Sequence, residues 1–311
     1  MQKNDFDSSY LVDMLFVQAA TLHEKLLAED LNIENDIDSF YSHVDLVLKN
    51  ISVKPTIDNT KNSTSSLPAK IRKDDFSLID AESALRDWSD LFPVKIWSWY
   101  VISGTFLGLV REGGFLAHDY DLDLGFNAED CDIDALLNKL SNSPQFYIES
   151  QDWMDTIKRD AKGSYSFDRI RVLVKVVHKS GISIDVFVHY LDVAENKRWH
   201  GSRIHRWDNS RFDLQQYTLA GIKVLGPADA DRYLTENYGE WRIPVKDFNC
   251  STGTPNLVIV RNFLSQALFI KRLVALVDTN KEEAEKLKNT LCASGVLEED
   301  CSGNLTMAHY V

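Results

Sequence analysis

The sequence predicts an α/β (α+β) protein in which a small mixed sheet is flanked by helices, with helical appendages at the N- and C-terminal ends. Residues 167–177 and 182–189 alternate apolar and polar side chains with the period of a β-strand, and the Gly-containing turn between them predicts a hairpin. Residues 80–92 and 128–140 instead repeat apolar side chains at helical spacing. Together these segments indicate a sheet covered by helices.

The other elements follow from the same two periods. Two N-terminal helices are predicted, one capped by Ser8 or Ser9 and one over 37–48. A strand at 97–102 leads through a small-residue turn and a helical segment into a second strand at 121–126. After the hairpin, the sequence predicts two short strands, one helix and two C-terminal helices, at 212–217, 222–225, 228–237, 257–277 and 281–293.

Composition excludes several classes of protein. With 311 residues, 44% of them hydrophobic, the chain can bury a large core, and its net charge of −13 argues against nucleic-acid binding through a basic face and against a polybasic membrane anchor. The four cysteines form no CxxC pair and have no His at zinc spacing, which favours a reducing compartment. The N-terminus lacks a signal-peptide pattern and no apolar run is long enough to cross a bilayer, so a cytoplasmic location is expected.

Three acids stand on the polar faces of predicted strands. Asp121 and Asp123 share one face of the strand 121–126, and Asp185 stands on the polar face of the strand 182–189. Two carboxylates two residues apart on a strand can reach one divalent cation, and without a cation they would repel each other. A single Asp-x-Asp pattern also occurs at solvated turns, but three acids on apolar strands favour a metal site.

A small-residue turn precedes the first acids. Ser103, Gly104 and Thr105 lie where the strand 97–102 turns into a helix, and the free backbone N–H groups at such a helix start can hold a phosphate. A phosphate-binding turn next to a metal-binding strand predicts metal-assisted phosphoryl transfer.

The segment 104–126, GTFLGLVREGGFLAHDYDLDLGF, resembles the signature of the LicD/fukutin family of phosphotransferases, a branch of the nucleotidyltransferase-fold superfamily. It departs from that signature at His118, where the family usually has Trp, and at Tyr120, which replaces an Asp. A second, weaker resemblance lies in a later aromatic stretch that includes Tyr238 and Trp241. The positions that match the signature are Gly104, Thr105, Leu107, Gly108, Arg111, Gly114, Phe115, Asp119, Asp121 and Asp123.

The resemblance implies a domain organisation and an activity. It implies a nucleotidyltransferase-like catalytic domain that ends near 260, at 71–260 in this chain. Composition and helical spacing, rather than the resemblance, predict a helical appendage at 1–53, a flexible linker at 54–70 and a C-terminal helical segment at 261–311. The implied reaction moves a phospho-alcohol group, such as phosphocholine or ribitol phosphate, from a CDP-activated donor to a hydroxyl of a cell-surface glycan and releases CMP. A glycan or glycolipid acceptor of lipopolysaccharide, capsule or teichoic-acid type would bring the protein to a membrane surface only peripherally.

Each candidate residue receives a role. Asp121, Asp123 and Asp185 are expected to hold one or two Mg²⁺ (or Mn²⁺) ions, and Asp185 also to accept the proton of the attacking hydroxyl. The residues expected to bind phosphate or donor are Ser103, Gly104, Thr105 and Arg111. The residues expected to line a substrate pocket are His118, Asp119, Arg169 and Arg171.

Several alternatives remain open at this point. Arg111 could form a structural salt bridge, His118 could be a packed structural residue, and the two strand arginines could form a solvated face. At the level of function, the same acids suit nucleotidyl transfer with release of pyrophosphate. A non-catalytic relative that only binds glycan is the third hypothesis, and the intact set of three acids argues against it.

Overall fold

The structure is a computed structural model that divides the chain into two compact units. Unit 1 comprises Met1–Ser63, Asp155–Arg169 and Val258–Val311, and unit 2 comprises Thr64–Met154 and Ile170–Leu257. The predicted linker at 54–70 lies outside the described residues. The residues that the structure describes are 8–28, 33–52, 77–117, 119–159, 162, 165–245, 248, 250 and 254–308.

Helices and strands alternate along the described residues. The helices are α1 (Ser8–Leu27), α2 (Glu34–Ser52), α3 (Leu78–Leu91), α4 (Val94–Trp97), α5 (Ser103–Glu112), α6 (Ile133–Ser141), α7 (Ala230–Tyr238), α8 (Phe263–Thr279) and α9 (Lys281–Ala293). The first six strands are β1 (Tyr100–Val101), β2 (Asp121–Asn127), β3 (Phe146–Arg159), β4 (Tyr165–His178), β5 (Ser183–Asp192) and β6 (Lys197–Gly201). The later strands are β7 (His205–Ser210), β8 (Leu214–Leu219), β9 (Ile222–Pro227), β10 (Leu257–Ile259), β11 (Leu297–Glu299) and β12 (Leu305–Met307).

Unit 2 is built on a mixed sheet. Its strands follow the order β7-β6-β5-β2-β1-β9-β8, with β4 also paired to β5 and β3 to β4. The pairs β2–β5 and β1–β9 are parallel, whereas β1–β2, β4–β5, β5–β6, β6–β7 and β8–β9 are antiparallel. The predicted α/β class with a mixed sheet is therefore confirmed. The sheet is larger than predicted, because β3, β6 and β7 extend it.

One face of the central strands forms the core of unit 2. Its side chains are at most 1% exposed, and burial of each contributes about 1.5–3 kcal/mol. These core residues are Leu122, Leu124 and Phe126 on β2, Val172, Val174 and Val176 on β4, and Ile184, Val186 and Val188 on β5. Because strand residues alternate between faces, the acids between them point to the opposite face, as the sequence predicts.

Capping side chains set several helix boundaries. Ser77 caps α3, where its Oγ accepts from the N–H of Asp80 at 3.2 Å, and Asp132 caps α6 in the same way. The predicted strand at 97–102 is reduced to two residues because α4 ends there, with Ser98 in a left-handed conformation at φ 51°.

Unit 1 brings together helices from both ends of the chain. Helices α1 and α2 pack with α8, and the rings of Phe40 and Phe263 meet edge to face at 5.3 Å. The backbone N–H of Met307 on β12 donates to Oδ1 of Asp45 on α2 at 2.8 Å. Among the helices formed by the described residues, none is long and apolar enough to cross a membrane.

Candidate active site

Two neighbouring strands carry the three predicted acids. Asp121 and Asp123 lie on β2, and Asp185 lies on β5, which runs parallel to β2 with Asp123 directly beside Asp185 in the register. Adjacent strands are about 4.8 Å apart, so the structure brings these two positions together. Strands β1, β2 and β5 belong to one sheet, as the sequence predicts.

The start of helix α5 holds Asp123. Its Oδ2 accepts a hydrogen bond from the Gly104 N–H at 2.9 Å, and its own backbone N–H donates to Thr105 Oγ1 at 2.8 Å. The Ile102 N–H donates to the Asp123 carbonyl at 3.2 Å. The predicted turn therefore fixes an acid directly. Because the Gly104 N–H already serves this carboxylate, phosphate binding by that group stays a prediction.

Gly104 also lets a second carboxylate approach the helix. A Cβ at this position would lie 3.1 Å from Oδ2 of Asp119 and 3.3 Å from Oδ2 of Asp123, closer than ordinary van der Waals contact. Ser103 adopts a left-handed φ of 46° just before it. A non-glycine residue in this region costs about 1–3 kcal/mol, and such strain concentrates at functional sites. The turn is thus shaped around the acids.

The acids form an electrostatically unfavourable centre. Burial raises the pKa of Asp123 well above its ordinary value, and the charges of Asp121, Asp119 and Asp185 raise it further. The hydrogen bond from Gly104 acts in the opposite direction. A cation among these carboxylates would relieve their repulsion.

Asp185 already has a cationic partner. Nζ of Lys175, its register neighbour on β4, donates to both carboxylate oxygens at 2.9 and 3.1 Å. Burial raises the pKa of Asp185, and the charge and hydrogen bonds of Lys175 partly offset that rise. Burial acts to lower the pKa of Lys175, but the net pKa is raised because Asp185 favours the charged amine. The third acid is therefore paired with Lys175.

The donor chemistry of this centre fits Mg²⁺ or Mn²⁺, since both ions prefer carboxylate oxygens. Asp119 and Asp123 both approach Gly104. The charge of Asp121 raises the pKa of the Asp123 carboxylate. Within the described part of the chain, no three His, Cys, Asp or Glu side chains are already grouped so that they could hold a metal ion.

Arg111 lies at the far end of α5 from the acids. It belongs to the last turn, about 12 Å along the helix from Ser103 at a rise of 1.5 Å per residue. Its Nη1 donates to the Trp241 carbonyl at 3.2 Å, and its Nη2 forms an ion pair with Glu112 at 3.0 Å. These are structural contacts within unit 2, and donor binding by Arg111 stays a prediction.

The described residues that were predicted to line a substrate pocket are divided between the two units. Arg171 of unit 2 lies over the Trp153 ring at 4.6 Å and forms an ion pair with Asp134 at 3.2 Å. Arg169 belongs to unit 1, where it forms an ion pair with Asp155 at 3.7 Å. His118 lies outside the described residues. Asp119 lies at the acidic centre, beside Asp123 at the start of α5.

Two tyrosines near the acids were not predicted as site residues. The charge of Asp121 and burial raise the pKa of Tyr120, although its ring is largely exposed. Burial raises the pKa of Tyr238 at the end of α7, and the charges of Asp123 and Asp119 add to this rise. The position of Tyr120 between two acids is a local signal in the sequence, whereas Tyr238 reaches the centre only through the fold.

Comparison with known proteins supports the family resemblance. Residues 97–229 match the LicD/FKTN/FKRP nucleotidyltransferase domain. Mouse ribitol-5-phosphate transferase FKTN is 24% identical over 165 residues, which are 51% of this chain and 32% of the mouse protein. The uncharacterized protein RP689 of Rickettsia prowazekii is 27% identical over 158 residues, which are 50% of this chain and 53% of that protein. The matches thus span about a third and about half of these relatives.

Among solved structures, the lincosamide antibiotic adenylyltransferase LnuA bound to lincomycin aligns with 52% of this chain and 90% of its own. The identity is 12% and the TM-score is 0.31, a value too low to bear on fold or function.

The matched segment contains the features that form the acidic centre. It includes the turn at 103–105, the acids Asp121 and Asp123 on β2, and Asp185 on β5. The predicted resemblance to the LicD/fukutin family is therefore confirmed for residues 97–229, which match the LicD/FKTN/FKRP nucleotidyltransferase domain.

Proposed function

We propose that this chain is a metal-dependent phosphotransferase that moves a phospho-alcohol group from a CDP-activated donor to a hydroxyl of a cell-surface glycan and releases CMP. Ribitol phosphate is the favoured group, because the mouse relative is a ribitol-5-phosphate transferase. Phosphocholine is the alternative group. The match covers only 32% of the mouse protein, so the substrate assignment needs its own test.

One observation carries the proposal. Asp123 is a partly buried carboxylate that a helix-start N–H holds in place, next to Asp185 in the strand register. Its pKa is raised by burial and by the surrounding acids, which means that the site is unfavourable as an isolated set of negative charges. Such an arrangement favours a divalent cation, and phosphoryl transfer is the reaction class that uses one in this way.

Different residues of the site have different proposed roles in this reaction. Asp121 and Asp123 would hold Mg²⁺ or Mn²⁺, with Asp119 close by. A bound divalent ion would neutralise charge on the donor diphosphate and on the leaving phosphate. Asp185 would accept the proton of the attacking hydroxyl, a role worth about 10²–10⁴-fold in rate. Gly104 keeps the Asp123 carboxylate in position through its N–H.

Nucleotidyl transfer is the second candidate. The matched family is described as a nucleotidyltransferase domain, and three acids serve that reaction equally well. In that reaction a nucleotide moves to the acceptor and pyrophosphate leaves. The products distinguish the two candidates.

The experiment supplies CDP-ribitol, CDP-choline, CTP or ATP separately, each with Mg²⁺ and with glycolipid or polysaccharide fractions as acceptor. We expect release of CMP from a CDP donor and its loss when EDTA removes the metal. Pyrophosphate from CTP or ATP would instead favour nucleotidyl transfer. Absence of both products with every donor would count against an enzyme.

Two variants separate metal holding from proton transfer. Asp123→Asn should abolish turnover and also weaken Mg²⁺-dependent donor binding, because it removes a metal ligand. Asp185→Asn should bind the donor within about tenfold of wild type, or about 1.4 kcal/mol, but turn over at least about a hundredfold more slowly. Calorimetric titration of the donor and the CMP assay measure the two quantities.

Asp90→Asn is the matched control, because Asp90 is an exposed acid on α3 of the same unit. It should leave binding and turnover at the wild-type level. Near-normal turnover in Asp123→Asn would contradict the metal argument, and near-normal turnover in Asp185→Asn would remove its assignment as the base.

A further inference from the structure

Lys175 forms an ion pair with Asp185, the residue that the proposed reaction needs as a base. Its Nζ bridges both oxygens of Asp185, at 2.9 and 3.1 Å, from the directly opposed position on β4. The Asp185 side chain is only 12% exposed, whereas that of Lys175 is 38% exposed. The Asp185 carboxylate is therefore largely shielded from solvent, whereas the side chain of Lys175 is partly accessible to it.

This pairing conflicts with a three-acid metal site. The backbone places Asp185 beside Asp123, which is itself an expected metal ligand. Both oxygens of Asp185 are taken by the Lys175 amine. A divalent ion that uses Asp185 must displace that amine or share the carboxylate with it.

We infer that Lys175 is a resident cation that competes with the divalent ion for Asp185, so that Asp185 joins the metal site only when the Lys175 amine moves away. This inference rests on the proposed metal-dependent function. Lys175 is a positioning residue on this view, because it acts through Asp185.

The inference has a physical basis in charge and mobility. A buried carboxylate without a counter-ion is unfavourable, so Lys175 stabilises the acid whenever no metal is bound. A lysine amine sits on a flexible four-carbon stem, so it can leave without a change in the backbone. Because the lysine side chain is more than a third exposed, water screens the ion pair and lowers the cost of breaking it.

The test measures the affinity of the full-length chain for Mn²⁺ alone, from the electron paramagnetic resonance signal of the free ion. The proteins are wild type, Lys175→Met, Asp185→Asn, the double variant of these two positions, and Asp123→Asn. We expect Lys175→Met to bind Mn²⁺ at least about tenfold more tightly than wild type. In the Asp185→Asn background the same substitution should change the affinity less than about threefold, because the contested carboxylate is gone.

Lys179→Met is the matched control. Lys179 lies on the same hairpin and pairs with Asp87 at 3.0 Å, so its loss removes an equal charge from another carboxylate. Its Mn²⁺ affinity should equal that of wild type. If Lys175→Met does not fold, as judged by circular dichroism, Lys175→Gln removes the charge but keeps a hydrogen-bond donor and should show the same direction of change.

The outcomes separate this inference from the proposed function. Equal gains of affinity from Lys175→Met in the wild-type and Asp185→Asn backgrounds would show a long-range charge effect and would overturn the competition. Asp123-dependent Mn²⁺ binding that Lys175→Met leaves unchanged would also overturn it, while the proposed function would stand. If no protein binds Mn²⁺ through Asp123, the proposed metal dependence fails and the inference fails with it.

Discussion

Two buried histidines are a residue-scale source of acid sensitivity. The rings of His189 and His200 pack in a tilted arrangement with their centroids 4.5 Å apart inside unit 2, and the residues are 0% and 3% exposed. Burial lowers the pKa of His200 to about 3, and burial together with His200 lowers the pKa of His189 well below its ordinary value. Both rings therefore stay neutral in the folded protein over a pH range where an unfolded histidine binds a proton.

The sign of the pH effect follows from these shifts. Below about pH 6.5 the unfolded state binds more protons than the folded state, so the free energy of unfolding falls as the pH falls towards about 3. Each such histidine contributes about 1.4 kcal/mol per pH unit inside this window. His200→Gln should therefore show a shallower loss of stability than wild type between about pH 6 and pH 4.

Urea unfolding at a series of pH values measures this difference. Above about pH 7 the curves of wild type and His200→Gln should run parallel, because both forms are neutral there, and that region serves as the internal control. The variant is expected to be less stable at every pH, since the ring of His200 also stacks on Trp207. Parallel curves at acidic pH as well would contradict the role assigned to His200.

At the scale of an element, β2 depends on a glycine among its buried positions. A Cβ at Gly125 would lie 2.6 Å from Cε2 of Tyr100 and 2.8 Å from Cε1 of His189, distances that require the rings to move. Gly125→Ala should lower the free energy of unfolding by about 1–3 kcal/mol through overpacking. Urea denaturation measures the change.

Gly114→Ala is the control for this substitution. Gly114 belongs to the same signature segment, but a Cβ there would meet nothing within 4 Å. Gly114→Ala should change the free energy of unfolding by no more than about 0.5 kcal/mol. Equal effects of the two substitutions would show that backbone freedom, rather than the close approach of the two rings, explains the glycine in β2.

The elements show which patterns a sequence can reveal. Strands β4 and β5 could be predicted because apolar residues alternate with polar ones in both segments. Strand β6 was missed, because its buried residues include Arg198 and His200, which resemble an exposed pattern. Arg198 is buried and forms an ion pair at 2.5 Å with Glu129, which lies 69 residues earlier in the chain.

The candidate site could likewise be predicted from the sequence only in part. The acids could be placed on the polar faces of β2 and β5 because neighbouring positions in each strand are apolar. Pairing of Lys175 with Asp185 depends on the register of β4 against β5, and a slip of one residue would move Lys175 to the other face. The left-handed Ser103 at the helix start likewise has no local signal in the sequence.

At the scale of the whole molecule, the two ends of the chain contribute to one compact unit. Unit 1 contains α1 and α2 from the first 63 residues together with α8, α9, β11 and β12 from the last 54. From the sequence, the helices at the two ends are predicted as separate appendages, because helical periodicity shows which face of a helix is apolar but not which helix covers it. All three predicted metal ligands lie in unit 2.

This division predicts that the core of unit 1 can be weakened without loss of metal binding. Phe40 on α2 is 0% exposed and packs against Phe263, so Phe40→Ala should cost about 3–5 kcal/mol in unit 1. Leu46→Ala on the same helix is the control, because Leu46 is 48% exposed and should cost little. Thermal unfolding followed by circular dichroism measures both changes.

Mn²⁺ titration of the same two variants then tests whether the acidic centre depends on unit 1. Asp121, Asp123 and Asp185 belong to unit 2, where the Gly104 N–H holds Asp123 and Lys175 holds Asp185. Below the unfolding temperature, we expect Phe40→Ala and Leu46→Ala to bind Mn²⁺ within about threefold of wild type, a difference under about 0.7 kcal/mol. A much weaker affinity in Phe40→Ala alone would mean that unit 1 helps to build the metal site, and residues of the chain ends would then have to be sought among its ligands or their supports.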